Sequence, residues 1–437
     1  MRKNLFKKVL ALTLASTMAF SMAGCGSKGG SSDAKNDDGT ITLNVWHQWS
    51  NDTNELKGKY EEAVKAYEKE NSGVKIKTET LDTEAYKTKI NAEFAGDAKG
   101  IDVFYWWGAG TAKKLVDAGK VMALDDYVTD DVKSKILEGS TSAFEFDGKL
   151  YSVPMFSWYM TLFCNKTMFD KAGATLPTTY DELVDAVKKL KKLDGVTPMA
   201  AGAKDGWNAA FVYQALALRE VGATGVNEML SGKKEFGDEG FKKAAQKVSD
   251  LYEMGAFGDN PLEQGNDDAN AAFENGKAAM RLMGSWFANN VYTDDAATIK
   301  PEEVVALKIP TIADGKGEAT DYCGGFVESF WVNNNTKYKE EAAKFCIYIN
   351  EKMGVASYET GSGFSGWTTK ADESKLNPLF IQIKDLLAEG KQGVLAWDTS
   401  LEAEPAAVHN EQVQTLFADG ADIDAFIDEH KAAINGK

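Results

Sequence analysis

The sequence is poor in histidine, cysteine and proline. Its 437 residues include three histidines, four cysteines and eight prolines. His47, His409 and His430 have no spacing to one another or to the cysteines that resembles a zinc site. We therefore expect no metal and no other cofactor.

Motifs for nucleotide binding and nucleophilic catalysis are also missing. The chain contains no G-x-x-x-x-G-K-[ST] phosphate loop and no G-x-S-x-G motif. The segment GSGFSG at residues 361–366 satisfies G-x-G-x-x-G. It follows a helix-like stretch instead of a strand, however, and no helix pattern opens from it, so we interpret it as a glycine-rich turn.

The sequence has fewer basic than acidic residues. The chain has 49 Lys and Arg against 66 Asp and Glu, a net charge of −17. Nucleic acids and anionic membrane surfaces would repel it, which leaves neutral or cationic ligands as partners. The 43% hydrophobic and 26% charged residues are typical of a soluble globular protein, and the length favours two domains.

The first 24 residues have the pattern of a signal peptide. Four basic residues between positions 2 and 8 precede the apolar run VLALTLASTMAFSMAG. Residues 22–25, Met-Ala-Gly-Cys, match the lipobox of bacterial lipoproteins, in which the Cys25 thiol would carry fatty acyl chains such as palmitate. An ordinary signal peptide that ends near a cysteine is the alternative. Residues 25–39 contain Gly, Ser and charges and predict a flexible tether to the outer face of the cell membrane.

The remaining cysteines do not predict a disulfide framework. Cys164, Cys323 and Cys346 are an odd number, so at most one disulfide is available. Cys164 lies in a strand-like segment and Cys346 in a helix-like one, and we expect both to be buried free thiols. Whether Cys323 and Cys346 pair is left open.

Strand and helix patterns alternate from residue 40 onward. ITLNVW, VKIKT and IDVFYWW have strand character, and helical periodicity separates them. This order predicts parallel βα units in an open α/β sheet flanked by helices, with ligands bound beyond the carboxyl ends of the strands. Helical patterns follow at 208–220, 240–254 and 267–277, and Thr179 with Glu182 predicts a capping box.

Tryptophans concentrate in loop-like segments. They stand beside Gly, Asn, Gln, Ser or Asp, a composition that suits sugars, whose CH faces stack on indole rings and whose hydroxyls need polar partners. Packing between helices and sheet is the alternative for each. These residues are Trp46, Trp49, Trp106, Trp107, Trp158, Trp207, Trp286 and Trp367.

Four segments together resemble a known family. FENGKAAMRLMGSW at 273–286 is similar to a hallmark of the extracellular solute-binding proteins of ABC importers, in the carbohydrate-binding group related to maltose-binding protein. IDVFYWWGAGTAKKLVDAGKVMALDDY, YSVPMFSWYMTLFCNKTMFDKAGATLPTTYDELVDAVKKL and GGFVESFWVNNNTKYKEEAAKFCIYI agree with it in order and spacing. The resemblance covers essentially the whole chain after the predicted signal peptide.

The resemblance implies two α/β lobes joined by crossing strands, with the ligand in the cleft at the hinge. By similarity, residues 40–153 with 307–350 form lobe 1, and residues 154–306 with 351–437 form lobe 2. Trp106 and Trp107 would line the cleft wall of lobe 1. Trp106 best matches the aromatic that stacks on a sugar ring in the family, and packing behind it is the alternative for Trp107. An acidic residue that maltose-binding protein has after this aromatic is replaced here by Gly108, so we expect an oligosaccharide other than maltose.

The resemblance also implies further ligand contacts from both lobes, with Trp158 and Tyr159 as alternatives for one position. With the two tryptophans above, the expected ligand-binding residues are His47, Gln48, Asp82, Trp106, Trp107, Trp158, Tyr159, Trp207, Asn208, Trp286, Gly325, Phe326, Trp367 and Asp398.

The implied activity is binding and delivery of a sugar, not catalysis. A monomer would close around its ligand and be recognised by permease subunits, whose ATPase is a separate chain. Two alternatives remain: the same fold with a polyamine or peptide ligand, and a lipid-anchored glycoside hydrolase, for which no carboxylate pair stands out. A co-receptor role in sensing would use the same structure.

Overall fold

A computed structural model describes residues 39–51, 55–293 and 297–436. The predicted signal peptide, Cys25 and the tether up to residue 38 lie outside the described residues. No helix in the three described ranges combines the length and apolar character that a bilayer crossing requires.

The described residues form twelve strands. In chain order they are β1 (Ile41–His47), β2 (Val74–Thr80), β3 (Val103–Trp107), β4 (Glu145–Phe146), β5 (Lys149–Leu150), β6 (Phe156–Asn165), β7 (Thr197–Ala200), β8 (Ala278–Gly284), β9 (Val304–Leu307), β10 (Asp321–Val332), β11 (Phe364–Ser365) and β12 (Gln392–Val394).

Fifteen α-helices accompany these strands in the described part of the chain. They are α1 (Glu55–Glu70), α2 (Thr83–Ala95), α3 (Ala109–Asp117), α4 (Asp130–Lys135), α5 (Lys166–Ala172), α6 (Tyr180–Leu190), α7 (Gly206–Leu230), α8 (Glu239–Glu253), α9 (Asn266–Glu274), α10 (Phe287–Thr293), α11 (Lys339–Glu359), α12 (Pro378–Ala388), α13 (Trp397–Ser400), α14 (Ala403–Thr415) and α15 (Ile423–Ile434).

One large mixed sheet runs through the molecule, in the order β2-β1-β3-β10-β6-β8-β7. β1 is parallel to β2 and β3, as the alternating pattern predicted. β10 is antiparallel to both β3 and β6, and these three strands occupy the middle of the sheet. β9 and β11 pair with β6, and β12 pairs with β10. The α/β prediction is confirmed.

Local sequence explains several element boundaries. Alternate residues of β1 are buried, in agreement with the period-two pattern of ITLNVWH. Helix α6 begins with the predicted capping box, in which the Glu182 amide donates to Thr179 Oγ1 at 3.3 Å and the Thr179 amide donates to the Glu182 carboxylate at 3.1 Å. The predicted turn at 361–366 follows α11 and contains the two-residue strand β11.

The buried apolar side chains form two clusters. The first core takes its residues from 41–156, 330–353 and 367, and the second core from 158–309, 323, 364 and 376–427. β6 and β10 each contribute to both, because Phe156 belongs to the first core and Trp158 to the second, while Cys323 belongs to the second and Phe330 to the first. Neither core is built from one continuous stretch of chain.

The three cysteines that the structure describes are free and buried. The expectation for Cys164 and Cys346 is therefore confirmed, and Cys323 does not pair with Cys346. Burial raises the pKa of the Cys323 thiol to about 12. Cys346 lies under β10, where its Sγ donates to the Phe330 carbonyl oxygen at 3.0 Å.

Candidate functional site

The carboxyl ends of the parallel strands β1 and β3 lie side by side at the same end of the sheet. Trp46 on β1 is in register with Phe104 on β3. The Tyr86 hydroxyl, on α2, lies within hydrogen-bond distance of the carbonyl oxygens of Trp46 (3.2 Å) and Tyr105 (2.6 Å). Helix α2 is thereby fixed against the ends of both strands.

The two tryptophans at the end of β3 differ in exposure. Trp106 is only 4% exposed, and its indole nitrogen donates to the Thr111 carbonyl oxygen at 3.4 Å. Trp107 is half-buried, with the Lys87 ammonium 5.2 Å from its ring centroid. The ring expected to stack on a sugar, Trp106, is therefore the less exposed of the two, and Trp107 is the more exposed. Successive strand residues point to opposite faces, and α3 covers the face of Trp106.

His47 is packed into the first core. Its ring lies 4.2 Å from that of Tyr60 and 5.1 Å from that of Trp49, and its Nδ1 accepts a hydrogen bond from the Trp49 amide. Burial, with the nearby Lys57 charge, lowers the pKa of His47 to about 3, so the ring is neutral. His47 Nε2 and the buried Oε1 of Gln48 have no hydrogen-bond partner among the described residues.

Three predicted tryptophans come together on the second core. The ring of Trp158 lies 5.2 Å from that of Trp286, and Trp207 lies 6.4 Å from Trp286. Phe211 joins them, stacked on Trp158 at 5.3 Å. Trp158 is buried, whereas Trp207 and Trp286 are half-buried, so two ring surfaces remain accessible.

The strand register places the two tryptophan groups on one face of the sheet. Glu328 on β10 is opposite Trp107 on β3 and opposite Phe156 on β6. Residues opposite each other across a ladder point to the same face, and so do residues two apart along a strand. Trp158 and Tyr105 therefore share this face, which we call the Glu328 face. The row from Trp107 to Phe156 spans about 10 Å, because neighbouring strands are about 4.8 Å apart.

Glu328 is a functional candidate that the sequence reasoning missed. It is 8% exposed, and burial raises the pKa of its carboxyl to about 7, although the polar hydrogens of Tyr105 and Trp107 lower it in part. The Tyr105 hydroxyl is fully buried and has no partner at hydrogen-bond distance among the described residues. The signal in the sequence was a single acid inside the apolar strand FVESFWV.

Tyr159 and Phe326 point to the opposite face of the sheet. Tyr159 follows Trp158 on β6 and packs against Tyr322 and Phe364, at 5.3 and 5.2 Å. Burial raises the pKa of Tyr159 to about 12.

Strand β10 is bulged beside Glu328, because its register with β6 shifts between Phe326 and Glu328. Gly325 precedes the bulge with φ of 151°, and a side chain there would meet Leu395.

Asn208 is held in a buried network around Arg281. The Arg281 guanidinium is 1% exposed and donates to Asn208 Oδ1 at 2.6 Å, to Asn266 Oδ1 and Asn270 Oδ1 at 3.1 Å, and to the carbonyl oxygens of Ala200 and Ala201 at 3.2 Å. Burial lowers the pKa of Arg281 to about 9. The Asn208 amide also donates to Asn266 at 3.3 Å, so both of its polar atoms are occupied within the protein.

The three other predicted residues occupy separate positions. Trp367 is buried in the first core, where its indole nitrogen donates to the Pro154 carbonyl oxygen at 2.6 Å. Asp82 is exposed and caps α2 by accepting from the Ala85 amide at 3.1 Å. Asp398 lies in the first turn of α13, and burial raises the pKa of its carboxyl against the opposing effect of Lys87.

Helix α3 of the first core rests on α13 of the second. The Thr111 hydroxyl lies 3.2 Å from the Asp398 carbonyl oxygen and 3.3 Å from that of Thr399. Gly110 packs so tightly that a methyl group there would overlap the carbonyl oxygens of Ser400 and Leu401. The start of α3 is thereby held against carbonyl groups at the end of α13.

The arrangement suits a flat, polar ligand with apolar faces. Half-buried indole rings offer stacking surfaces, while Glu328 and the Tyr105 hydroxyl offer buried hydrogen-bonding groups beside them. The described residues contain no group of three or more His, Cys, Asp and Glu side chains arranged to hold a metal ion.

Comparison with known proteins identifies relatives along most of the chain. Residues 50–355 match the family described as bacterial extracellular solute-binding protein. The multiple sugar-binding protein of Streptococcus mutans is 24% identical over 389 residues, which cover 86% of each chain. An uncharacterized ABC transporter extracellular-binding protein of Pyrococcus horikoshii is 26% identical over 77% of each chain.

Solved structures share the whole fold. A structure from a study of xylan utilization by the thermophilic bacterium Caldanaerobius polysaccharolyticus is 36% identical, with a TM-score of 0.86 over 90% of this chain and 100% of the other. A chitin oligosaccharide binding protein has a TM-score of 0.82 at 21% identity, over 91% of this chain and 98% of the other. The second likeness shows the fold alone.

Proposed function

The chain belongs to the family of bacterial extracellular solute-binding proteins, and from this membership we propose that it captures an oligosaccharide and delivers it to an ABC importer. The family and its two-lobed fold are those of solute receptors of ABC sugar transport. Bond cleavage has no part in this function, and the ATP site belongs to a separate chain.

One observation carries the oligosaccharide assignment. The Glu328 face brings Trp107 of the first core and the Trp158, Trp207 and Trp286 group of the second core to the same side of the sheet. Accessible rings from two cores, with a buried acid between them, match a ligand that presents several apolar faces and many hydroxyls. Two of the similar structures concern xylan utilization and a chitin oligosaccharide, which supports a ligand of several sugar units.

We assign stacking to Trp107 in place of Trp106, on the basis of its exposure. Trp207 and Trp286 are its counterparts, and Gln48 adds an unsatisfied buried oxygen. Four predicted contacts have structural roles instead in this proposal, because their polar groups or rings are committed within the protein: Trp106, Asn208, Trp367 and Asp82.

We also propose that the two cores are the two lobes. The predicted lobe 1 of 40–153 with 307–350 is close to the first core, but Ile309 packs in the second core, and Met353 and Trp367 pack in the first. The lobe boundaries are therefore better placed within β6, within β10 and after α11. The α3–α13 contact and the bond from Asn289 to Glu55 at 3.2 Å are then contacts of the closed form.

A titration tests the function. Tryptophan fluorescence of a purified chain that begins at residue 26, which keeps every described element, is followed against xylo-, chito- and malto-oligosaccharides. We expect a saturable change with one class, and mass analysis is expected to show the sugars intact. A response to spermidine or peptides alone would change the ligand class, and shortened sugars would overturn transport in favour of hydrolysis.

Delivery and anchoring complete the proposal. Cys25 would hold the monomer at the outer face of the cell membrane, within reach of the permease subunits. Cells that express the full chain should incorporate labelled palmitate into it, and Cys25→Ala should abolish the label. A label that persists in the variant would contradict the anchor without affecting the ligand assignment.

A further inference from the structure

The Glu328 face holds polar groups that make no close hydrogen bond among the described residues. Tyr105 and His47 are fully buried, and the Tyr105 hydroxyl and His47 Nε2 have no hydrogen-bond partner among the described residues. Both rings pack on Trp49, at 5.5 and 5.1 Å, so the two groups share one environment. Buried polar groups are almost always paired, so partners from outside the chain are expected here.

Glu328 lies in this environment and has no opposing cation. Its neighbours across the strands are Trp107 and Phe156, and none of the described salt bridges involves its carboxylate. By contrast, the buried Glu220 on α7 is paired with Lys247 at 3.2 Å. A buried carboxyl without a countercharge is costly to ionise, and hydrogen-bond donors on a ligand would lower that cost.

Resting on the proposed function, we propose that Glu328 is the acid that recognises the sugar, its carboxylate accepting hydrogen bonds from neighbouring hydroxyls of a ring stacked on Trp107. Tyr105 assists from β3, where its hydroxyl faces the same group. The site therefore selects neutral ligands with adjacent hydroxyls, and it disfavours anionic sugars, which Glu328 would repel.

Capture of the ligand is then coupled to loss of a proton. Burial raises the pKa of Glu328 to about 7, so the carboxyl is partly protonated at neutral pH when no hydrogen-bond donor from a ligand faces it. Hydroxyl donors favour the ionised form and lower this pKa in the complex. Affinity therefore approaches its maximum above about pH 8, is about half of it near pH 7, and falls by about tenfold between pH 8 and pH 6.

Other titratable groups near Glu328 do not explain such a profile. The pKa of Tyr105 is raised far above 10, and that of His47 is lowered to about 3. Lys87 lies over the Trp107 ring, and the pKa of the buried Asp398, whose charge interacts with that of Lys87, is also raised. A variant of Glu328 is therefore needed to assign the pH dependence to this carboxyl. The other titratable groups packed on β10 contact residues of that strand other than Glu328. Tyr60, His47 and Cys346 contact Phe330, Tyr159 contacts Tyr322, and Arg219 contacts Asp321.

Calorimetry of the wild-type chain provides the first test. The tightest binder among the xylo- and chito-oligosaccharides is titrated at pH 6, 7 and 8, with two buffers of different ionisation enthalpy at pH 7. We expect weaker binding at pH 6 and release of a fraction of a proton per ligand bound. Proton uptake, or affinity that is equal at the three pH values, would overturn the role of Glu328 while leaving sugar binding intact.

Three variants test whether the proton released on binding comes from Glu328. Glu328→Gln should bind roughly tenfold more weakly at pH 8 and lose the pH dependence. Glu220→Gln, at a buried acid outside the site, should keep the wild-type profile. Tyr105→Phe removes one group that lowers the pKa of Glu328, so the midpoint of its affinity profile should move to higher pH. If no neutral oligosaccharide binds at any pH, this inference and the proposed function both fail.

Discussion

Two buried polar centres of the molecule are organised in opposite ways. Arg281 in the second core gives hydrogen bonds to three asparagine side chains and two carbonyl oxygens. Glu328, between the cores, has no cation opposite it, and the nearby Tyr105 hydroxyl has no partner in the described part of the chain. Charge that is fully satisfied within the protein stabilises the fold, whereas charge left unsatisfied is available to a ligand.

The largest expected effect comes from breaking the satisfied centre. Arg281→Met would leave the side-chain oxygens of Asn208 and Asn270 without the donor that Arg281 supplies, and Asn266 with only the Asn208 amide. The free energy of unfolding should therefore fall by about 3 kcal/mol or more. Urea denaturation measures this, and Glu328→Gln is the matched comparison because it should destabilise far less. Equal losses in the two variants would remove the distinction between the centres.

The next test separates the two tryptophans of β3. Trp106→Ala removes a buried ring and should reduce the free energy of unfolding by about 3–5 kcal/mol. Trp107→Ala should instead weaken oligosaccharide binding roughly tenfold to hundredfold, with a much smaller change in stability. Fluorescence titration and urea denaturation of both variants decide the matter, and a stability loss confined to Trp107→Ala would reverse our assignment.

Stability should also depend on pH through Glu328, with the sign opposite to that for binding. The pKa of its carboxyl rises from 4.5 in the unfolded chain to about 7 in the fold, so the folded state binds more protons between these values. The resulting stabilisation is complete below pH 4.5 and is lost as the pH rises through 7, by about 3 kcal/mol.

The comparison with Glu328→Gln isolates this contribution. His409 and His430 hydrogen-bond to each other at 2.9 Å, and burial lowers the pKa of both rings, so their contribution has the opposite sign and is lost as the pH falls below 6.5. Denaturation of both proteins from pH 5 to pH 8 should show the free energy of unfolding of the wild-type chain falling relative to that of Glu328→Gln up to about pH 7 and levelling off above it. A constant difference would argue against a buried, titrating Glu328.

The smallest effect is expected where the cores touch outside the sheet. A side chain at Gly110 would collide with the carbonyl oxygens of Ser400 and Leu401, so Gly110→Val should hinder closure and weaken ligand binding about tenfold. Gly100→Val is the control, since a side chain there meets nothing within 4 Å. Small-angle scattering with saturating ligand should show a larger radius of gyration for Gly110→Val only.

Local patterns in the sequence were sufficient for much of the fold. The parallel order of β1, β2 and β3 and the capping box at Thr179 follow from nearest neighbours along the chain. The helix predicted at 208–220 is the first part of α7, which runs to Leu230 because the chain resumes a helix after the non-helical Gly222. The hydrophobic periodicity of the sequence does not show that a helix resumes after such a break.

The site was less predictable, because its chemistry depends on contacts between distant residues. Asn208 is adjacent to Trp207 and looks equally available, yet Arg281, 73 positions later, occupies its oxygen. The exposures of Trp106 and Trp107 depend on which face α3 covers. Glu328 was overlooked because a lone acid in an apolar strand becomes informative only when its cross-strand neighbours are known.

The interleaving of the two cores has a consequence for how the chain reaches its folded state. The first core lacks residues 330–353 and 367 until late in synthesis, and the second needs residues as far as Ile427. Neither can close early, and contacts between such distant segments form slowly. A nascent chain of this design completes neither core until most of it has been made, and an incompletely folded polypeptide is what a narrow export channel can accept.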